Sequence, residues 1–120
     1  MDNIEYPGST IKRAWGEYKI LDQPITPSGD QRKWKIKELR INPHQSTSYQ
    51  VHHNRSEIWL VKHGKGTSII GDYSEELYSG KVITINENEW HQIINGTESD
   101  LVIHEIQYGW DCNEEDIERQ

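Results

Sequence analysis

Four side chains in this sequence are of the types that hold a metal ion: Gln50, His52 and Glu57, close together, and His91 further along. If the run Tyr49 to His53 is extended, Gln50 and His52 project from one face, because strand side chains repeat every two residues. Glu57 then opens the next strand after a short loop and can lie beside them in an antiparallel pair. His91 begins a later strand. An amide oxygen, two imidazoles and a carboxylate make a mixed nitrogen and oxygen donor set. Such a set suits one borderline or hard divalent ion: zinc first, with manganese, cobalt, nickel or iron as alternatives. No thiolate takes part, which argues against a purely structural zinc site. By spacing alone, adjacent histidines in a polar strand are more often a surface feature than ligands, so the pattern needs a frame.

The frame is a series of short strands. Trp34 and Ile36 alternate with Lys35 and Lys37, then Leu39 and Ile41 alternate with Arg40, and the change of parity predicts a bulge. Tyr49 to His53, Glu57 to His63, Thr67 to Ile70, Val82 to Ile85, His91 to Ile94 and Asp100 to Gln107 follow as further strands. Turn signals separate them, among them Gly64-Lys65-Gly66, Gly71-Asp72, Ser79-Gly80, Asn86-Glu87-Asn88 and Asn95-Gly96. Many short strands without a helical period predict an all-β sandwich or barrel. Met1 to Ser9 reads as an extended arm and Pro24 to Asp30 as a loop. The acidic tail Glu114 to Arg119 is the one helix candidate.

At 120 residues the chain has room for one domain, with a core expected over about residues 12–110. Only 32% of residues are of the AVILMFWYC types and 28% are charged. Five Trp and six Tyr, spread through alternating runs, still separate it from disordered sequences. A net charge of −7 argues against a sequence-independent nucleic-acid binder. A small phosphorylated ligand remains open, since a few local Lys or Arg suffice for it. Cys112 is the single cysteine, so no intramolecular disulfide forms and a cytoplasmic setting fits. The first ten residues lack the features of a signal peptide, no apolar run reaches membrane-spanning length, and no membrane partner is expected.

Two spaced motifs run in register through the chain. Gln50-Val51-His52, four residues, Glu57, six residues, Gly64 resembles the first cupin motif, with Gln in place of its first His. Gly80, five residues, Asn86-Glu87-Asn88, two residues, His91, three residues, Asn95 resembles the second, with Asn at both turn residues. The motif's opening Gly falls on His44. Within the cupins, Ser48 to Trp59, Arg13-Ala14-Trp15-Gly16-Glu17-Tyr18, Lys35-Ile36-Lys37-Glu38-Leu39, Glu105-Ile106-Gln107-Tyr108-Gly109 and Glu114 to Arg119 resemble the isomerase domain of type II mannose-6-phosphate isomerases. Asn54 and Ile58 stand where that family has His, and Ala14 where it has Pro. Nothing resembles the guanylyltransferase domain that this domain usually follows, so the resemblance implies an isomerase-like domain standing by itself.

The resemblance implies a cupin jelly-roll barrel and a metal-dependent sugar-phosphate isomerase, converting mannose 6-phosphate to fructose 6-phosphate or a close analogue. Gln50, His52, Glu57 and His91 are then the metal ligands. Arg55, Glu105 and Lys35 are the expected catalytic residues, Arg55 offsetting charge on oxygen and Glu105 or Lys35 serving as base. Arg13, Lys37 and Gln107 are expected to bind substrate. Glu105 and Gln107 share a strand face, read as the barrel interior, whereas Lys35 and Lys37 are either pocket residues or a charged outer edge. His53, His63 and His104 read as structural or superficial, and the Trp residues as core fillers replacing the absent Phe. Two other readings are a metal-containing carbohydrate-binding cupin without turnover and another cupin enzyme such as an iron dioxygenase. A homodimer is expected, because a second copy can cover an open sheet edge, and the N-terminal arm is available to cross to it.

Overall fold

The computed structural model of the protein describes residues 5–24, 33–110, 112 and 114–120. Two antiparallel sheets run through them. The first has β1 (Thr10–Arg13), β2 (Gly16–Asp22), β3 (Trp34–Ile41), β10 (Leu101–Gly109), β5 (Arg55–His63) and β8 (Val82–Ile85), in that order. The second has β11 (Glu118–Arg119), β4 (Gln50–Val51), β9 (His91–Ile94), β6 (Gly66–Ile70) and β7 (Tyr73–Leu77). The all-β expectation holds, and no helix occurs among the described residues.

The four turn positions of the two motifs carry backbone that L-residues avoid. Gly64 and Gly80 have φ of 94° and 93°, and at the matching motif positions His44 and Asn88 have φ of 60° and 66°. Asn tolerates this left-handed region because its short amide bonds locally, while His does so at a cost. The spacing survives the loss of glycine because the backbone conformation survives.

Pairing register builds the interior in rows. Ile41 pairs with Leu101, and Leu39 pairs with Ile103, which pairs with Val61. These residues are buried and, with Tyr18, Ile20, Trp59, Leu77, Ile83, Ile85 and Ile93, form the apolar core. One step along the same strands the rows turn polar. Lys37 pairs with Glu105 and Glu105 with Trp59, while Lys35 pairs with Gln107 and Gln107 with Glu57. Each inward column therefore passes from aliphatic at one end of the barrel to charged at the other.

Several expectations change here. The parity shift between Ile36 and Leu39 is no bulge in β3, whose burial alternates without a break. Lys35 and Lys37 are themselves inward, 3% and 4% exposed, so Trp34 and Ile36 take the outer face. The irregularity falls in β2, between Ile20 and Asp22, opposite Lys37 and Ile36. The acidic tail forms a turn and then β11, paired to β4, because tertiary contacts described below claim its carboxylates. From Glu5 the arm folds onto its own chain: Gly8 N–H donates to the Ile20 carbonyl, and the Tyr18 hydroxyl donates to the Glu5 carboxylate at 2.8 Å. β1, β2 and β7 are strands beyond those that the turn signals delimit. Apart from Pro24, the loop expected from Pro24 to Asp30 lies outside the described residues.

Candidate metal centre

The polar end of the barrel opens into a cavity of about 470 Å3. β4 and β9 pair at Gln50 and His91, which sets these two side by side, and His52 follows β4 directly. Glu57 arrives from β5 in the facing sheet. His52, Glu57 and His91 are each at most 3% exposed, and one donor atom from each lies within 4.8 Å of the others. Gln50 lines the same cavity, its amide oxygen accepting from the Ser48 hydroxyl at 3.1 Å.

The imidazoles are held in one orientation by the backbone. His52 Nδ1–H donates to the Asp116 carbonyl at 2.6 Å, and His91 Nδ1–H to the Glu89 carbonyl at 2.8 Å. Both Nε2 lone pairs therefore face inward, the arrangement that ligating histidines adopt. Burial, then the Arg55 charge, lowers the His52 pKa to about 4, so the ring is neutral at neutral pH. The 3.3 Å approach of His52 Nε2 to Glu57 Oε2 is thus a meeting of two acceptors rather than an ion pair.

Two observations fit this set to a cation. His91 Nε2 is buried without a hydrogen-bond partner among the described residues. Arg55 Nη2 reaches both His52 Nε2, at 3.0 Å, and Glu57 Oε2, at 3.1 Å, placing positive charge where the two acceptors converge. A neutral nitrogen pair with a carboxylate is the donor chemistry of zinc and its neighbours.

The two buried carboxylates at the centre diverge in character. Burial pushes Glu57 up, but Arg55 and His91, with hydrogen bonds from Glu105 and Trp59, outweigh it and hold the group ionised. Trp59 Nε1–H donates to Glu57 Oε1 at 3.0 Å. Glu105 moves the other way: burial and the neighbouring Glu57 raise it, against opposing effects of Lys37 and Arg55. Gln107 Nε2 donates to Glu105 Oε1 at 2.6 Å. Two acids pushed apart by their surroundings are the signature of groups with different proton tasks.

The other expected site residues separate by position. Lys37, Arg55 and Glu105 line the cavity, and the exposed Arg13 stands at its edge. Lys35 and Gln107 are buried but off the cavity lining. Asn54 is exposed and Ile58 points to the outer sheet face, so neither departure from the family pattern touches the cavity. Three residues in the tail went unrecognised in the sequence. Glu114 bridges Lys35 and Lys37 at 2.8 Å each. Asp116 accepts from the His53 and Asn54 amides at 3.0 and 2.8 Å. Arg119 joins the cavity lining. A buried lysine pair demands an acid, but sequence could not say which of the tail's acids supplies it. Asn95, which ends the second motif, is architectural: its amide donates to the carbonyls of Ile41, Asn42 and Ser99.

Two opposed antiparallel sheets around such a site make this a cupin, the double-stranded β-helix class of protein. The chain belongs to the family described as mannose-6-phosphate isomerase C-terminal, whose model matches residues 3–120. Among curated relatives, mannose-1-phosphate guanylyltransferase 2 of Escherichia coli O157:H7 is 28% identical over 110 residues, 92% of this chain and 21% of that protein. The chain thus spans about a fifth of the length of the curated relatives it matches. Among solved structures, a Klebsiella pneumoniae protein with a double-stranded β-helix domain matches with a TM-score of 0.70 at 12% identity, covering 97% of this chain and 88% of that one. A cupin-superfamily sugar phosphate isomerase from Silicibacter pomeroyi matches at 0.63 and 13% identity, covering 77% and 58%. At these identities the structural likeness establishes the fold.

Proposed function

We propose that this cupin domain is a metal-dependent aldose–ketose isomerase for a sugar phosphate, mannose 6-phosphate to fructose 6-phosphate or a close analogue. The observation that carries the reading is the meeting of the His52, Glu57 and His91 donors beside a cavity that the buried Glu105 also lines. His52, Glu57, His91 and Gln50 would hold a divalent ion, which supplies Lewis-acid polarisation of the sugar carbonyl.

The chain's own residues do the rest. Isomerisation moves a proton between C2 and C1 of the open-chain sugar, and a carboxyl with a raised pKa suits that exchange near neutrality. Glu105 has the position and the environment for it, oriented by Gln107. Lys35 is the weaker candidate, since Glu114 engages it and it stands off the cavity lining. Arg55, anchored on Glu57 through Nε at 3.1 Å, is placed to offset charge developing on the enediol oxygens. Lys37 and Arg13 serve substrate binding.

Two measurements test this reading. Metal analysis of purified protein is expected to find about one divalent ion per chain, lost in His52→Ala and His91→Ala. Metal retained in both variants would overturn the centre. A coupled assay on metal-loaded protein is expected to convert mannose 6-phosphate, with Arg55→Lys slower by about 10²–10³ at unchanged metal content. Binding without turnover across zinc, cobalt, manganese and magnesium would instead favour a carbohydrate-binding cupin.

A further inference from the structure

The cavity is cationic in a protein whose net charge is −7. Lys37, Arg13, Arg55 and Arg119 line it, and Lys35 adjoins through Glu114. Against them the lining sets Glu105 and Glu114. Lys35 and Lys37 are adjacent inward residues of one strand, nearly fully buried, and the same Glu114 oxygen is 2.8 Å from both ammonium groups. Among the described residues Glu114 is the one carboxylate within ion-pair distance of either ammonium, a costly sharing unless a further anion completes it. Nearby, Arg55 Nη1 is a buried donor without a partner among the described residues. Its guanidinium feels Glu114 as well as Glu57. Donors converge here that a carboxylate only half satisfies.

Glu114 differs from the groups it neutralises in how it is held. Its side chain is 32% exposed against 4% for each lysine, and it sits in a turn rather than in either sheet. We propose that Glu114 is a displaceable counter-ion. Lys35 and Lys37 form a seat for a dianionic phosphoryl group, and the Glu114 carboxylate occupies that seat until such a ligand arrives. Phosphoryl oxygens carrying close to two negative charges match two ammoniums better than one carboxylate does. The sugar carried on that phosphate rests on the isomerase reading above, but the seat itself does not.

Displacement has a measurable signature. While Glu114 holds the seat, only a minor fraction of the protein is competent to bind, and apparent affinity falls by that fraction. In chloride buffer, with inorganic phosphate as the probe, Glu114→Gln is therefore expected to bind at least about tenfold more tightly than wild type by calorimetry. Phosphate is also expected to raise its melting temperature more than it raises that of wild type. Glu114→Asp, one methylene shorter and unable to span both lysines as well, is expected to shift the same way. In wild type, phosphate is expected to speed amide exchange at residues 114–117, because binding frees that turn. Equal or weaker phosphate binding by both variants, or exchange there that slows or stays unchanged, would overturn the proposal. Should Glu114→Gln unfold without phosphate, the Asp variant and the wild-type exchange still decide. Phosphate binding with this pattern but no turnover of mannose 6-phosphate would leave the seat standing and remove the isomerase.

Discussion

At the scale of single residues, the centre depends on groups that never touch its contents. His52 presents Nε2 inward because the Asp116 carbonyl accepts a hydrogen bond from its Nδ1–H, and the Asp116 carboxylate fixes the His53 and Asn54 amides beside it. Such supporting contacts typically govern metal affinity by about 10–100-fold. Asp116→Ala keeps that carbonyl and removes only the carboxylate that fixes the neighbouring amides, so it is expected to weaken metal binding by up to about 10-fold, the low end of that range, read by competition with a chromophoric chelator, while the melting point of the metal-free protein moves little. Unchanged affinity would reduce Asp116 to a surface residue.

At the scale of elements, turn backbone sets the cost of substitution. His44 at φ 60° carries left-handed strain of about 1–2 kcal/mol, partly offset in a glycine by its greater loss of chain entropy. His44→Gly is expected to stabilise the fold on the order of 0.5–1 kcal/mol by denaturant unfolding, because its contact with Glu98 is exposed and worth little. Asn88→Gly should yield less, since Asn88 Oδ1 also meets His53 Nδ1 at 2.6 Å. The opposite holds at the β1–β2 turn. A Cβ on Gly16 would lie 2.0 Å from the Arg40 carbonyl oxygen, at φ 151°, so Gly16→Ala is expected to cost at least about 2 kcal/mol.

At the scale of the whole molecule, acid sensitivity and association follow. Burial opposes ionisation of Glu114, but Lys37, Arg55 and Lys35 together hold its carboxyl well below the ordinary range. Its folded pKa being the lower one, its contribution is complete above the unfolded value of about 4.5 and fades as pH falls below that. Melting temperature in chloride buffer should drop between pH 5 and about pH 2, less steeply in Glu114→Gln than in wild type. A parallel fall in the variant would dismiss Glu114 as a source of that sensitivity. No helix of the described residues is long and apolar enough to cross a membrane. On the outer face of the six-stranded sheet, Ile36 pairs with Ile106 and Ile106 with Ile58, with Leu60 beside Val82 one row along. We propose that a second copy covers this face. Light scattering at micromolar protein is expected to give a dimer and Leu60→Glu a monomer, whereas a wild-type monomer would refute it.

Much of this was legible in one dimension. Turn residues and alternation delimit most strands, because exposed turns and two-faced strands impose local chemistry. The spacing of Gln50, His52, Glu57 and His91 survives as three cavity-lining residues with Glu57 beside the two histidines, because motif length sets which strand ends meet. Where local pattern and tertiary context disagree, context decides. Lys35 and Lys37 looked equally suited to an edge or a pocket, and only pairing with β10 turns them inward, opposite Gln107 and Glu105. The acidic tail has the composition of a helix, yet Glu114, Asp116 and Glu118 are each claimed by partners more than 60 residues away in sequence, Lys35, the His53 amide and His53 Nε2. Propensity acts on neighbours and is worth tenths of a kcal/mol per residue, whereas leaving the buried Lys35 and Lys37 without Glu114 costs several. That difference in magnitude is why the tail's structure belongs to the fold and not to its own sequence.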